Sequence, residues 1–126
     1  MSYVFDSNIL IYQLSDTLSA QGARTGLLHG GAYSVISRIE IMGYSQSPEE
    51  LAKADQLLHG LREIPLNDSV TALAINVRQH RKVKIPDAIV AATAIHLSMP
   101  LVSRNIRDFS NIEGLSVINP FEDVPR

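Results

Sequence analysis

Short apolar runs of β type alternate with helix-type segments along the chain, and this alternation restricts the fold more than composition does. Strands that alternate with helices build a parallel sheet covered on both faces. Strands are expected over residues 3–6, 32–36, 63–66, 101–103 and 115–118. Helices are expected over residues 7–14, 16–28, 37–44, 47–61, 70–79 and 86–98, the second being weakly amphipathic and ended by Gly30 and Gly31. Their starts carry recognisable signals. Ser47-Pro48-Glu49-Glu50 offers a cap, a first-turn proline and two acids suited to the helix dipole, and Asn67 or Asp68 caps the next helix. The helix after Pro86 is alanine-rich and apolar almost all round, which marks it as the most buried.

Against this pattern, four acids stand at separated points: Asp6, Glu40, Asp87 and Asp108. At least three lie where a strand or turn hands over to a helix. In an open parallel sheet those hand-over points line one edge, where the crevice beyond the strand ends binds ligands. Carboxylates gathered without basic neighbours repel one another, so such clusters hold a hard cation or share a proton. A metal site is therefore the first expectation. Each acid also has a structural explanation: Asp6 as a helix cap, Ser37 with Glu40 as a capping box, and Asp87 as a first-turn acid. The shared sheet edge is what joins them, because the geometry that caps the helices also turns their carboxylates to one crevice.

Composition narrows the function classes. At 126 residues, 45% hydrophobic and 19% charged, the chain matches one globular domain spanning residues 1–126, with no internal repeat, linker or low-complexity tract. No apolar run approaches the roughly 18 residues of a membrane helix, and Met1-Ser2-Tyr3 does not open a signal peptide. A cytoplasmic location is expected. Zero cysteines leave only oxygen or imidazole to ligate a metal. The histidines, His29, His59, His80 and His96, lack the paired spacing of a zinc helix and are expected at the surface or at helix ends. Aromatic residues are too sparse for a row of stacked bases.

A net charge of −2 does not mark a nucleic-acid binder, but the distribution is uneven. Arg78, His80, Arg81, Lys82 and Lys84 crowd just before Asp87, either as cations at the negative pole of a helix or as a phosphate track beside the acids. Arg38, Arg104 and Arg107 are further candidates for contact with a nucleic-acid backbone.

Four ordered stretches carry a family resemblance. Val4-Phe5-Asp6-Ser7-Asn8-Ile9-Leu10, Ser34-Val35-Ile36-Ser37-Arg38-Ile39-Glu40, Ile85-Pro86-Asp87-Ala88-Ile89-Val90-Ala91-Ala92-Thr93-Ala94 and Leu101-Val102-Ser103-Arg104-Asn105-Ile106-Arg107-Asp108-Phe109 resemble the motifs of PIN-domain ribonucleases. Within that family the chain looks like the VapC-type toxins of prokaryotic toxin–antitoxin modules, up to a closing Asn119-Pro120-Phe121. The resemblance implies a three-layer α/β/α sandwich with a central, mainly parallel sheet, and a magnesium- or manganese-dependent endoribonuclease. It makes Asp6 and Asp87 the principal metal ligands and Glu40 the third acid. At the fourth position this sequence has Asn105, two residues after Ser103, where the family often has an aspartate. An amide oxygen binds a hard cation without adding charge, and Asp108 either replaces that charge or caps the turn before Phe109.

The chemistry matches these residue types. A carboxylate-held metal activates water and neutralises charge at phosphorus, so no protein nucleophile is needed. Asn8 and Ser37 are expected to support the carboxylates through hydrogen bonds or to cap their helices. The resemblance also implies an RNA substrate, a cognate antitoxin and a homodimer; Ile11, Tyr12 and Leu14 offer a partner helix an apolar surface unless they pack into the core. The rival reading is a PIN-fold binding module for RNA or protein with weak or lost catalysis, suggested by Asn105 and the near-neutral charge. A phosphoacceptor receiver domain fits less well, because no suitably placed acceptor aspartate and later lysine are evident.

Overall fold

The computed structural model describes residues 2–15, 30–45 and 47–121. The expected helix over residues 16–28 lies outside them, as does His29. Five strands, β1 (Val4–Phe5), β2 (Ala32–Ser34), β3 (Arg62–Ile64), β4 (Leu101–Val102) and β5 (Val117–Ile118), form one sheet in the order β3-β2-β1-β4-β5. Every pairing is parallel, with Val4 opposite Ala32 and Leu101, and Phe5 opposite Val102. The helices are α1 (Ser7–Leu14), α2 (Val35–Tyr44), α3 (Pro48–His59), α4 (Asp68–His80), α5 (Ile85–Leu97) and α6 (Ile106–Phe109).

The period-two alternation of strand side chains sorts the core into two layers. Val4, Ala32, Ile64 and Leu101 face one way, onto Val70, Ala74 and Val77 of α4 and the apolar run of α5. Phe5, Tyr33 and Val102 face the other way, onto Ile9, Leu10, Ile41, Ala54 and Leu58 of α1, α2 and α3. The result is the expected three-layer α/β/α sandwich. Residues 88–94 of α5 are buried without a break, as their composition requires.

Several bounds shift from the sequence reading, β3 to residues 62–64 and β5 to 117–118 among them, and two differences have clear local reasons. Ser34, rather than Ser37, caps α2: its hydroxyl accepts the Ile36 N–H at 3.1 Å, and the helix starts two residues earlier. The connection between β4 and β5 contains α6, a single turn too short to show a helical period. The other caps follow the sequence signals, with Asp6 accepting the Ser7 N–H, Ser47 the Glu50 N–H and Asn67 the Val70 N–H.

Candidate active site

The sheet order contains a switch point. From β1 the chain moves outward through β2 to β3, then returns to place β4 on the opposite side of β1. The crevice beyond the ends of β1 and β4 is where such a sheet binds ligands. Asp6 follows β1 directly and Ser103 follows β4 directly, and the Asp6 N–H donates to the Val102 carbonyl at 3.0 Å, so the two residues leave the sheet side by side. The Ser103 hydroxyl donates to Asp6 Oδ2 at 2.8 Å, while the Ser7 N–H donates to Oδ1 at 2.8 Å. Asn8 adds its amide N–H to Oδ2 at 3.3 Å. Ser103 is fixed in turn by the Asn105 N–H, at 2.9 Å.

Glu40 reaches this crevice from α2. Its Oε1 lies 2.8 Å from Ser7 Oγ, and Ser7 Oγ lies 2.8 Å from Ser37 Oγ. A serine hydroxyl has one proton to give. Ser7 therefore donates to Glu40 and accepts from the fully buried Ser37, making a short hydroxyl chain behind the carboxylate. Asp87 stands in the first turn of α5 and, among the described residues, accepts no hydrogen bond.

The electrostatics show that the acids share one field. Asp6 is only 7% exposed. Burial pushes its carboxyl up to about 6, helped by the negative charges of Asp87 and Glu40 and opposed by the Ser103 and Ser7 hydrogen bonds. The Asp87 carboxyl is also raised, first by burial and then by Asp108 and Glu40, with Lys84 pulling it down. Charge repulsion without a cation beside Asp6 and a donor set made only of oxygen fit a hard divalent cation. In arrangement, however, no three His, Asp or Glu side chains among the described residues form a ready-made metal cluster. Asp6 and Glu40 each have a hydroxyl partner of their own, Ser103 and Ser7.

The remaining candidates separate clearly. Asn105 gives its side-chain N–H to Asp108 Oδ2 at 2.8 Å, so the two candidates for the fourth position lie side by side. Arg38 is held by Glu63 in an ion pair, which also accepts from the Tyr33 hydroxyl at 3.3 Å, so Arg38 is not a free contact for phosphate. Within the basic run, Arg78 Nε donates to the Val83 carbonyl at 3.2 Å and Arg81 Nη2 to the Arg107 carbonyl at 3.4 Å, tying the loop between α4 and α5. Its cation nearest in effect to the acids is Lys84. His59, His80 and His96 are exposed, as expected. Ser7 and Ser103 are the site residues that sequence reasoning undervalued: both lay inside the quoted motifs, but a serine at a strand end gives no sign of which carboxylate it will meet.

Fold and site together define a parallel α/β/α domain with an acidic crevice at its switch point. A family model for the PIN domain matches residues 3–115, and the chain belongs to that family. PIN domains are nucleases, generally dependent on divalent metal ions. Among solved structures, a chain of the toxin–antitoxin complex from Klebsiella pneumoniae is 30% identical, with a TM-score of 0.76, over 94% of this chain and 98% of that one. A chain of VapBC2 from Rickettsia felis, crystallised with a DNA fragment from its promoter, is 25% identical with a TM-score of 0.77, over 94% and 98% respectively. A chain of DNA-bound VapBC from Salmonella typhimurium, at 18% identity and a TM-score of 0.74 over 94% and 97%, shares the fold. No match to a curated protein accompanies these. The resemblance to VapC-type chains read from the four motifs agrees with these neighbours.

Proposed function

We propose that this protein is a metal-dependent endoribonuclease, the toxin of a toxin–antitoxin pair, working in the cytoplasm as one nuclease domain over residues 1–126. The observation that carries the reading is the Asp6 carboxylate, held at the switch point by Ser103 and Ser7 and within the field of Glu40 and Asp87. Asp6 and Asp87, with Glu40 as the third acid, would hold magnesium or manganese. The bound cation would polarise a phosphodiester and lower the pKa of an attacking water. Glu40, backed by the Ser37–Ser7 hydroxyl chain, would orient that water and take its proton. Ser103 and Asn8 keep Asp6 in position, and the Asn105–Asp108 pair supplies the remaining negative edge. Lys84, which acts on Asp87, is a candidate phosphate contact, and Arg107 on α6 is another.

For the antitoxin, support comes from an apolar groove of about 240 Å³ between α1, α2 and α3, bordered by Ile11, Leu14, Ile41, Tyr44, Glu50 and Lys53. It suits the apolar face of a partner helix, with Glu50 and Lys53 at its rim. For the homodimer, support comes from a separate apolar surface where Leu66, Ile75 and Ile85 are exposed. No helix among the described residues is long and apolar enough to cross a membrane.

The test is incubation of the purified, partner-free protein with total cellular RNA, with and without magnesium or manganese, beside folded Asp6→Asn and Asp87→Asn variants. Discrete fragments that require metal and vanish in both variants are expected. Metal-independent fragments, or fragments persisting in both variants, would sink the reading. A second reading, a PIN-fold module that binds RNA or protein without cutting, draws on the lack of a ready-made cluster among the described residues and on Asn105 at the fourth position. Partner or RNA binding without measurable affinity for divalent metal decides in its favour.

A further inference from the structure

The fold gathers two aromatic residues that are far apart in the sequence and covers them with the guanidinium of Arg104. Tyr12 of α1 and Phe121, after β5, meet edge to face with ring centroids 5.6 Å apart and planes at 84°. The Arg104 guanidinium lies over both, 4.3 Å from the Phe121 centroid and 5.4 Å from that of Tyr12. Arg104 directly follows Ser103, and its N–H donates to Asn8 Oδ1 at 3.4 Å, while Asn8 bonds Asp6. The residue that carries the cation is thus two hydrogen bonds from the central carboxylate.

Arg104 differs from its neighbours in what holds it. Arg38 is neutralised by Glu63, and Arg81 is tied to a backbone carbonyl. Among the described residues, the Arg104 guanidinium has aromatic rings beneath it and no carboxylate partner, and the residue is exposed. A guanidinium lying on a ring is weakly hydrated and keeps a second face for another π system, a property lysine does not share. Unpaired bases in single-stranded RNA stack on aromatic rings and on arginine planes alike.

We propose that Arg104, seated on Phe121 and Tyr12, is a base-stacking residue for an unpaired nucleobase of the RNA strand whose phosphate enters the acidic crevice. The inference rests on the ribonuclease reading and adds a subsite to it. It assigns Arg104 a contact with a base rather than with a phosphate. Phe121 and Tyr12 act as positioning residues, because they hold the guanidinium without needing to touch RNA themselves.

The test is fluorescence anisotropy with two short single-stranded RNA probes of equal length, one carrying its bases and one abasic at its central positions. The full-length chain carries Asp87→Asn to prevent cutting, and strand integrity is checked on a gel. In this background the ratio of affinities for the base-bearing and abasic probes is compared with that of Arg104→Lys and Phe121→Leu, each shown to unfold cooperatively. Arg104→Lys keeps the charge, so a fall of about tenfold in the ratio is expected for both variants. A ratio unchanged in Arg104→Lys overturns the proposal and leaves Arg104 as a phosphate contact or a surface cation. Binding of neither probe by any form overturns it together with the RNA reading. Metal-dependent cleavage by the unsubstituted chain, with an unchanged ratio, overturns the stacking subsite alone.

Discussion

The Ser103 hydroxyl donates to Asp6 Oδ2 at 2.8 Å across a sequence separation of 97 residues, joining the ends of two adjacent strands at the switch point of the sheet. Both partners are buried, so the bond forms in a setting where an unmatched polar group is expensive. Ser103→Ala leaves an ionised carboxylate with one fewer donor and also removes the acceptor of the Asn105 N–H. A loss of about 1–3 kcal/mol is expected in urea unfolding at neutral pH. The Asp6 carboxyl is expected to rise further, since Ser103 is the strongest of the influences that lower it. Stability within a few tenths of a kcal/mol of the parent would show that the bond contributes nothing.

Asp6 also sets a pH dependence with a definite sign. Its carboxyl moves from 3.8 to about 6 on folding, so the folded state prefers the protonated form. This contribution is fully present below pH 3.8, is lost as pH rises through about 6, and is absent above that. The shift corresponds to about 3 kcal/mol at its maximum. In chelator, Asp6→Asn is expected to be more stable than the parent above pH 7 and to show a flatter profile between pH 4 and 6. Thermal unfolding across that range checks it, and a variant less stable than the parent at pH 7.5 would refute the burial penalty.

Much of this was legible in the sequence because it depends on local signals. Strand and helix alternation gave the parallel sandwich, and Asp6, Ser47 and Asn67 cap where short polar residues precede apolar runs. What was hidden depends on pairings between distant segments. Ser37 looked like a helix cap, yet α2 begins at Val35 and frees its hydroxyl to meet Ser7. Arg38 looked like a free cation until β3 placed Glu63 beside it. Tyr12 and Phe121 were too few and too separated to suggest a cluster, and only the return of the chain after β5 brings them together.

Gly31 is a position where even one methyl group is excluded. A Cβ there would fall 2.0 Å from Phe5 Cε2 and 2.8 Å from the Tyr3 carbonyl oxygen, and the latter is backbone that cannot swing aside. Gly31→Ala is expected to destabilise the protein by about 1–3 kcal/mol through overpacking. Because the strain falls on β1 just before Asp6, metal-induced stabilisation is expected to weaken as well. Unchanged thermal unfolding would mean that Phe5 moves freely, contrary to its complete burial in the core.

The surface of Leu66, Ile75 and Ile85 offers a direct test of self-association. Ile75 and Ile85 are 55% and 57% exposed, a costly arrangement for a chain that stays single. Ile75→Glu places a charge in that apolar face without touching the core. A dimer by light scattering that becomes monomeric in the variant is expected, and a monomer in both would remove this surface as a dimer interface.

The groove between α1, α2 and α3 is lined from the C-terminal halves of α1 and α2, the helices that follow Asp6 and carry Glu40. Ile11 is 39% exposed and Tyr44 71% exposed, and both border the groove. Ile11→Asp puts an unpaired carboxylate where an apolar helix face would lie, which costs affinity far more than it costs the fold. Co-expression with the cognate partner is expected to yield a complex for the parent and little or none for Ile11→Asp. Stabilisation by magnesium in the isolated chain should be retained, because Ile11 supplies no ligand. Loss of both together would mean that the substitution has disturbed α1 and, through it, the capped carboxylate of Asp6.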